Sequence, residues 1–188
     1  MLGAIIGDIV GSRFEFNSSN DYNFELFTDE CSFTDDTICT VAIADALLHG
    51  ADYGVSLHTW CRKYIHPKGG YGGRFRQWVL SDEPHPYNSF GNGSAMRVSP
   101  IAWQNLNADR MIYEAEKTAA CTHNHPEGIK GAQTIALAIH YGYELRRQST
   151  QINREDILNK FKKVLEFSGY DINIRREDVI NKFDETCQ

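Results

Sequence analysis

Apolar residues in this chain recur at spacings of three and four in one stretch after another, and almost nowhere alternate. A helical turn holds 3.6 residues, so that period commits the chain to burying its apolar surface between helices. The pattern predicts helices over residues 2–10, 35–49, 55–65, 108–122, 128–147 and 154–167, with a last short one over 177–183. In 35–49 the expected buried face is Ile38, Val41, Ala42, Leu47 and Leu48. Segment 128–147 is rich in Ala and Ile and is expected at the centre. Segment 154–167 places apolar residues at 157, 158, 161, 164 and 165, as a surface amphipathic helix does. The nearest approach to a strand, 22–27, is too charged to read as one. Gly3, Gly7 and Gly11 share one face of the first helix. Each glycine costs about 1 kcal/mol of helix propensity, so a closely approaching neighbour is expected there as compensation.

With 188 residues the chain is long enough for one domain with a substantial core, and 1–188 is read as a single unit. A formal charge of -6 argues against a broad nucleic-acid-binding surface. The pairs Arg74/Arg76, Arg146/Arg147 and Arg175/Arg176 read as solvated faces, although a local basic pocket stays open. Five cysteines, an odd number without a C-x-x-C pair, indicate neither a disulfide framework nor a zinc knuckle. A reduced, cytoplasmic setting is expected. The first residues lack the basic start of a signal peptide, and no run reaches the roughly 18 apolar residues of a membrane span.

The chemistry lies in the polar segments. Residues 32–37, Ser-Phe-Thr-Asp-Asp-Thr, open the second helix and admit two readings. Ser32 and Asp35 fit a capping box, and carboxylates in a first turn are favoured by the helix dipole. Alternatively, Asp35 and Asp36 project about 100° apart and so reach different ions of a pair, with Thr34 adding an oxygen. An all-oxygen set suits Mg²⁺, Ca²⁺ or Mn²⁺ over zinc. Glu15, just past the first helix, is either solvated or a further carboxylate of such a site. In Thr122-His-Asn-His-Pro-Glu-Gly, His123 and His125 form an H-x-H pair, which serves a metal best on a strand. Here the pair falls between helices, with Pro126 suited to a first helical turn. The alternatives are a plain junction or a ligand-facing His or Asn beside a helix N-terminus. Two glycine-rich stretches, 66–75 and 82–94, read as long binding loops.

Taken in order, Gly3-Ala-Ile-Ile-Gly-Asp-Ile-Val-Gly-Ser with Glu15, Phe33-Thr-Asp-Asp-Thr, Gly91-Asn-Gly-Ser-Ala-Met-Arg-Val-Ser-Pro and Thr122-His-Asn-His-Pro-Glu-Gly-Ile-Lys-Gly-Ala resemble the ADP-ribosylglycohydrolase family. The resemblance runs over essentially the whole chain. It implies an all-α, orthogonal helical bundle with two central divalent ions, Mg²⁺ or Mn²⁺. Carried over, Thr34, Asp35 and Asp36 are metal ligands, and Glu15, Asp35 and Asp36 are the catalytic carboxylates. Gly93, Ser94, Met96 and His123 are substrate-binding, and Asp8 is structural. The implied reaction is hydrolysis at the ribosyl C1″ carbon of an ADP-ribosylated protein or ADP-ribose conjugate, through an oxocarbenium-like transition state.

The family's second acidic motif, Gly-Gly-Asp-x-Asp-Thr, does not occur here: no two aspartates are spaced by two residues. A fold lacking the C-terminal helices is therefore expected, with weakened metal binding. Apolar surface left bare would invite self-association or a complementing chain. A catalytically weak or inactive ADP-ribose-binding module is the competing reading, with a two-metal phosphoesterase behind it.

Overall fold

A computed structural model describes residues 1–148 and 151–171. Among these, nine helices and no strand are found: α1 (Leu2–Gly11), α2 (Asp35–His49), α3 (Tyr53–Lys63), α4 (Gly73–Leu80), α5 (Gly93–Met96), α6 (Ser99–Ala102), α7 (Ala108–Ala120), α8 (Pro126–Gln148) and α9 (Arg154–Ser168). The all-α expectation holds. The helix expected over 177–183 lies outside the described residues.

Side-chain caps set the starts of four helices. Thr34, Asp52, Asn107 and Asn153 each accept a bond from a backbone N–H of the first turn that follows, satisfying donors a helix start leaves orphaned. The capping residue of α2 is Thr34, not Ser32; the Ser32 N–H donates instead to Ser12 Oγ at 3.1 Å. Gly50 and Gly169 end α2 and α9 in the left-handed conformation.

The core has two lobes joined by α2. Ile43 and Ala46 pack with Val98, Ile101, Met111, Ala115, Ala132, Ala136 and Leu137. Ile38, Cys39 and Ala42 pack with Leu57, Cys61, Phe75, Trp78 and Val79. Helix α2 is therefore covered on more than one side, and its buried set differs from the expected face. Leu48 stands 81% exposed, whereas Cys39, Thr40, Ile43 and Ala46 are buried. As expected, α8 is central: it contacts α5, α6, α7 and α9. On α9 only Val164 of the five apolar positions is buried. Cys31, Cys39, Cys61 and Cys121 are free thiols.

The expectation for the glycine face of α1 also fails. A methyl group built on Gly3, Gly7 or Gly11 meets nothing within 4 Å, so no described backbone approaches that face. None of α1 is buried. Helix α1 is attached instead through its polar end, at Asp8.

Candidate active site

Asp8 joins α1 to the start of α2. Its Oδ2 accepts from the Thr34 N–H at 2.9 Å, the Thr37 N–H at 3.2 Å and the Thr37 hydroxyl at 2.5 Å. Its Oδ1 accepts from the Thr34 hydroxyl at 2.6 Å. Thr34 Oγ1 in turn accepts from the Asp36 N–H at 3.2 Å. These bonds hold the first turn of α2 rigid and leave the Asp35 and Asp36 carboxylates outside the network. Thr34, read from the resemblance as a metal ligand, has its hydroxyl engaged as cap and tether.

Two further segments close around that turn. Residue 68 forms an isolated parallel bridge with Thr34, and Lys68 Nζ reaches Ser12 Oγ and the Glu30 carbonyl. This lays Gly69 against Glu15. A Cβ built on Gly69 would stand 2.5 Å from Glu15 Oε2 and push that carboxylate aside, and φ is +78° there, so the backbone itself calls for glycine.

Asp8, Glu15, Asp35 and Asp36 thus share one neighbourhood, and the pKa directions of Asp35 and Asp36 report it. Burial, then the charge of Asp36, then Glu15 and Asp8, push Asp35 from 3.8 up to about 6. Burial and the charges of Asp8 and Glu15 raise Asp36 as well. Among the described residues no Lys or Arg forms an ion pair with either carboxylate. The donors are hard oxygens under mutual repulsion, which a divalent cation would relieve. Yet among the described residues no three His, Cys, Asp or Glu side chains stand close enough to enclose an ion. The donor chemistry suits Mg²⁺ or Mn²⁺, and the described residues alone do not enclose an ion.

Beside the carboxylates lies a cavity of about 360 Å³. Asp35 forms one wall, with Gly93, Met96 and His123 around the rest, completed by Phe75, Arg74, Tyr87, Ser89 and Arg97. Four of the residues singled out from sequence are therefore brought together. Glu15, Thr34, Asp36 and Ser94 do not line it. The Ser94 hydroxyl is buried and donates to the Gly128 carbonyl at 2.7 Å, which pins α5 to α8.

The two histidines part ways. His125 Nδ1 accepts from the Glu127 N–H at 3.1 Å, and its ring packs on Phe90, so it serves the start of α8. His123 is buried and turns to the cavity. Burial, then the charge of Arg97, lower its pKa from 6.5 to about 4, so the ring is neutral at pH 7. A Cβ on Gly93 would stand 2.8 Å from His123 Cε1, so the loop approaches the ring this closely only as glycine.

Sequence reasoning passed over Arg97 and Arg74. Arg97 stood within a quoted motif, Gly91 to Pro100, where charge gave no sign of burial. Arg74, one of a pair that reads as a solvated face, instead caps the Tyr87 ring with its guanidinium at 5.0 Å and donates to the Tyr87 carbonyl.

An all-helical domain with clustered carboxylates beside a polar cavity has the form of a candidate small-molecule site on a helical scaffold. The sequence pattern of the ADP-ribosylglycohydrolase family matches residues 1–186, and the chain belongs to that family. It is 27% identical to ADP-ribosylhydrolase ARH3 of Xenopus tropicalis, the match covering 77% of this chain and 49% of that protein. Identity is 24% to ADP-ribosylarginine hydrolase Tri1 of Pseudomonas putida (strain GB-1), covering 92% and 57%. It is 28% to human ARH3, covering 74% and 48%. The chain spans about half the length of the curated relatives it matches. No helix among the described residues is long and apolar enough to cross a membrane.

Proposed function

We propose that this chain carries the site of a metal-dependent hydrolase that cleaves the ribosyl C1″ bond of an ADP-ribosylated protein or a related ADP-ribose conjugate. The observation that carries the reading is the cavity itself. Asp35 faces Gly93, Met96 and His123 across it, in a chain of the ADP-ribosylglycohydrolase family. The matched relatives are named for ADP-ribosyl hydrolysis, including ADP-ribosylarginine hydrolysis.

Asp35 and Asp36, with Thr34 at their base, are the residues that would hold Mg²⁺ or Mn²⁺. When bound, such an ion supplies positive charge that grips ribose hydroxyls and acidifies a water. The remaining steps belong to side chains. Positive charge develops on the ribosyl ring as the C1″ bond lengthens, and the carboxylates of Glu15, Asp35 and Asp36 oppose it electrostatically. One of them orients the attacking water and accepts its proton. Gly93 and Met96 seat the ligand, and Ser94 holds their loop in place.

That no three such side chains enclose an ion among the described residues favours a second reading, an ADP-ribose-binding module with weak or absent turnover. Hydrolysis of ADP-ribosylarginine and ADP-ribosylserine peptides with Mg²⁺ or Mn²⁺ separates the two. The hydrolase reading expects metal-dependent release of ADP-ribose, lowered at least about 100-fold by Asp35→Asn. Metal-independent ADP-ribose binding without release supports the module. Leu2 and Ile6 of α1 are uncovered, at 71% and 50% exposure, and the reading includes a contact there with a second copy or a complementing chain.

A further inference from the structure

Arg97 is fully buried, yet no carboxylate pairs with it among the described residues. An unpaired guanidinium in a protein interior is costly, so its surroundings must compensate. Part of the compensation is the C-terminal end of α7, where Nη2 donates to the Thr118 carbonyl at 2.8 Å, at the negative pole of the helix dipole. The same Nη2 donates to Thr122 Oγ1 at 2.8 Å. Thr122 Oγ1 lies 2.7 Å from His123 Nδ1.

Proton counting then decides the histidine. An arginine can only donate, so Thr122 Oγ1 is the acceptor of that bond and keeps one proton of its own to give. The competing acceptors are His123 Nδ1 and Cys121 Sγ. Sulfur is a weak acceptor and an imidazole nitrogen a good one. The hydroxyl proton therefore goes to Nδ1, which must be unprotonated, and the ring proton sits on Nε2. That edge faces Gly93 and Gly91: a Cβ at these positions would stand 3.0 Å and 3.8 Å from Nε2. Among the described residues nothing accepts from Nε2.

We propose that Arg97 is a positioning residue that acts through Thr122 to hold His123 as the neutral Nε2–H tautomer, a hydrogen-bond donor aimed into the cavity at an oxygen acceptor of the ligand. Held so, His123 has no free lone pair on the cavity side. It serves neither as a metal ligand nor as a base there. That the acceptor belongs to an ADP-ribosyl group rests on the proposed function; the tautomer does not.

The test is long-range ¹H–¹⁵N NMR of the ring nitrogens in the ¹⁵N-labelled chain, with His123 assigned by His123→Gln. The expected spectrum has Nδ1 at an unprotonated shift and Nε2 at a protonated one. Thr122→Val should convert this to mixed tautomers, and Thr122→Ser, which keeps the hydroxyl, should preserve it. An Nδ1–H ring in the wild type overturns the proposal, as does a Thr122→Val spectrum unchanged from wild type. If Thr122→Val does not fold, the wild-type and Thr122→Ser spectra still decide, because a mixed tautomer in either contradicts the lock. Titration with ADP-ribose provides the ligand arm: the Nε2 proton should move downfield, and Thr122→Val should weaken binding about tenfold. Binding that leaves the Nε2 proton unshifted overturns the donor role. Absence of ADP-ribose binding in a wild type with the expected tautomer counts against the proposed function alone.

Discussion

Asp35 and His123 face one cavity, and burial pushes both toward neutrality, from opposite directions. Asp35 titrates near 6 in the folded chain against 3.8 ordinarily. Between those values the folded state holds a proton the unfolded state has lost, so this carboxylate makes stability fall as pH rises. His123 titrates near 4 against 6.5. Between those values the unfolded state binds a proton that the folded state refuses, so the ring makes stability rise with pH. The two contributions oppose each other across nearly the same window. In metal-free buffer, Asp35→Asn should therefore steepen the rise of stability from pH 4 to 6.5, and His123→Gln should flatten it. Urea midpoints across that range measure both; parallel curves for the two variants would refute the assignment. Gly93→Ala places its methyl within 3 Å of the buried His123 ring, which Thr122 tethers through Nδ1. It should cost ADP-ribose affinity at least about tenfold while helicity by circular dichroism stays unchanged.

At the scale of elements, the joint between α1 and α2 is the most consequential. Asp8 takes four bonds from Thr34 and Thr37. An asparagine keeps only one of the two acceptor oxygens, so Asp8→Asn should destabilise the chain by about 2–3 kcal/mol. Thr34→Ala, which removes the cap and one of those bonds, should cost about 1–2 kcal/mol. The two act on one network, so the double variant should lose less than the sum, which thermal or denaturant unfolding of all three variants checks. Helices with strong caps were legible in sequence: α2 spans the expected 35–49 because Thr34 and Gly50 flank it. Its buried face was not, because an apolar stripe cannot reveal that α2 is sandwiched between two core lobes, which buries Thr40 and leaves Leu48 in solvent. Helices α5 and α6 hold four residues each, too few to show any period. The glycine face of α1 misled for a different reason: spacing shows that a close approach is possible, not what comes close.

For the molecule as a whole, the candidate site was partly legible. Asp35, Gly93, Met96 and His123 come from separate segments that only the resemblance grouped, and the fold gathers them around one cavity. Arg97 stayed hidden because its role depends on the end of α7 and on Thr122, some 20 residues away, which no local pattern predicts. Helix α1 displays Leu2 and Ile6, and Phe16, Leu26 and Phe27 that follow it are exposed as well. Sedimentation velocity should detect concentration-dependent self-association, or association with a complementing chain, that Ile6→Glu abolishes; an unchanged monomer at every concentration would remove the second-copy contact. The central claim is that the start of α2 and the wall carrying Gly93 and His123 form one metal-assisted ADP-ribose site. Calorimetric titration of ADP-ribose into the chain, with and without Mg²⁺, tests it most directly. The account predicts binding that strengthens with Mg²⁺ and loses that dependence in an Asp35→Asn, Asp36→Asn double variant. No binding in either buffer, or metal-enhanced binding that survives in the double variant, would contradict it.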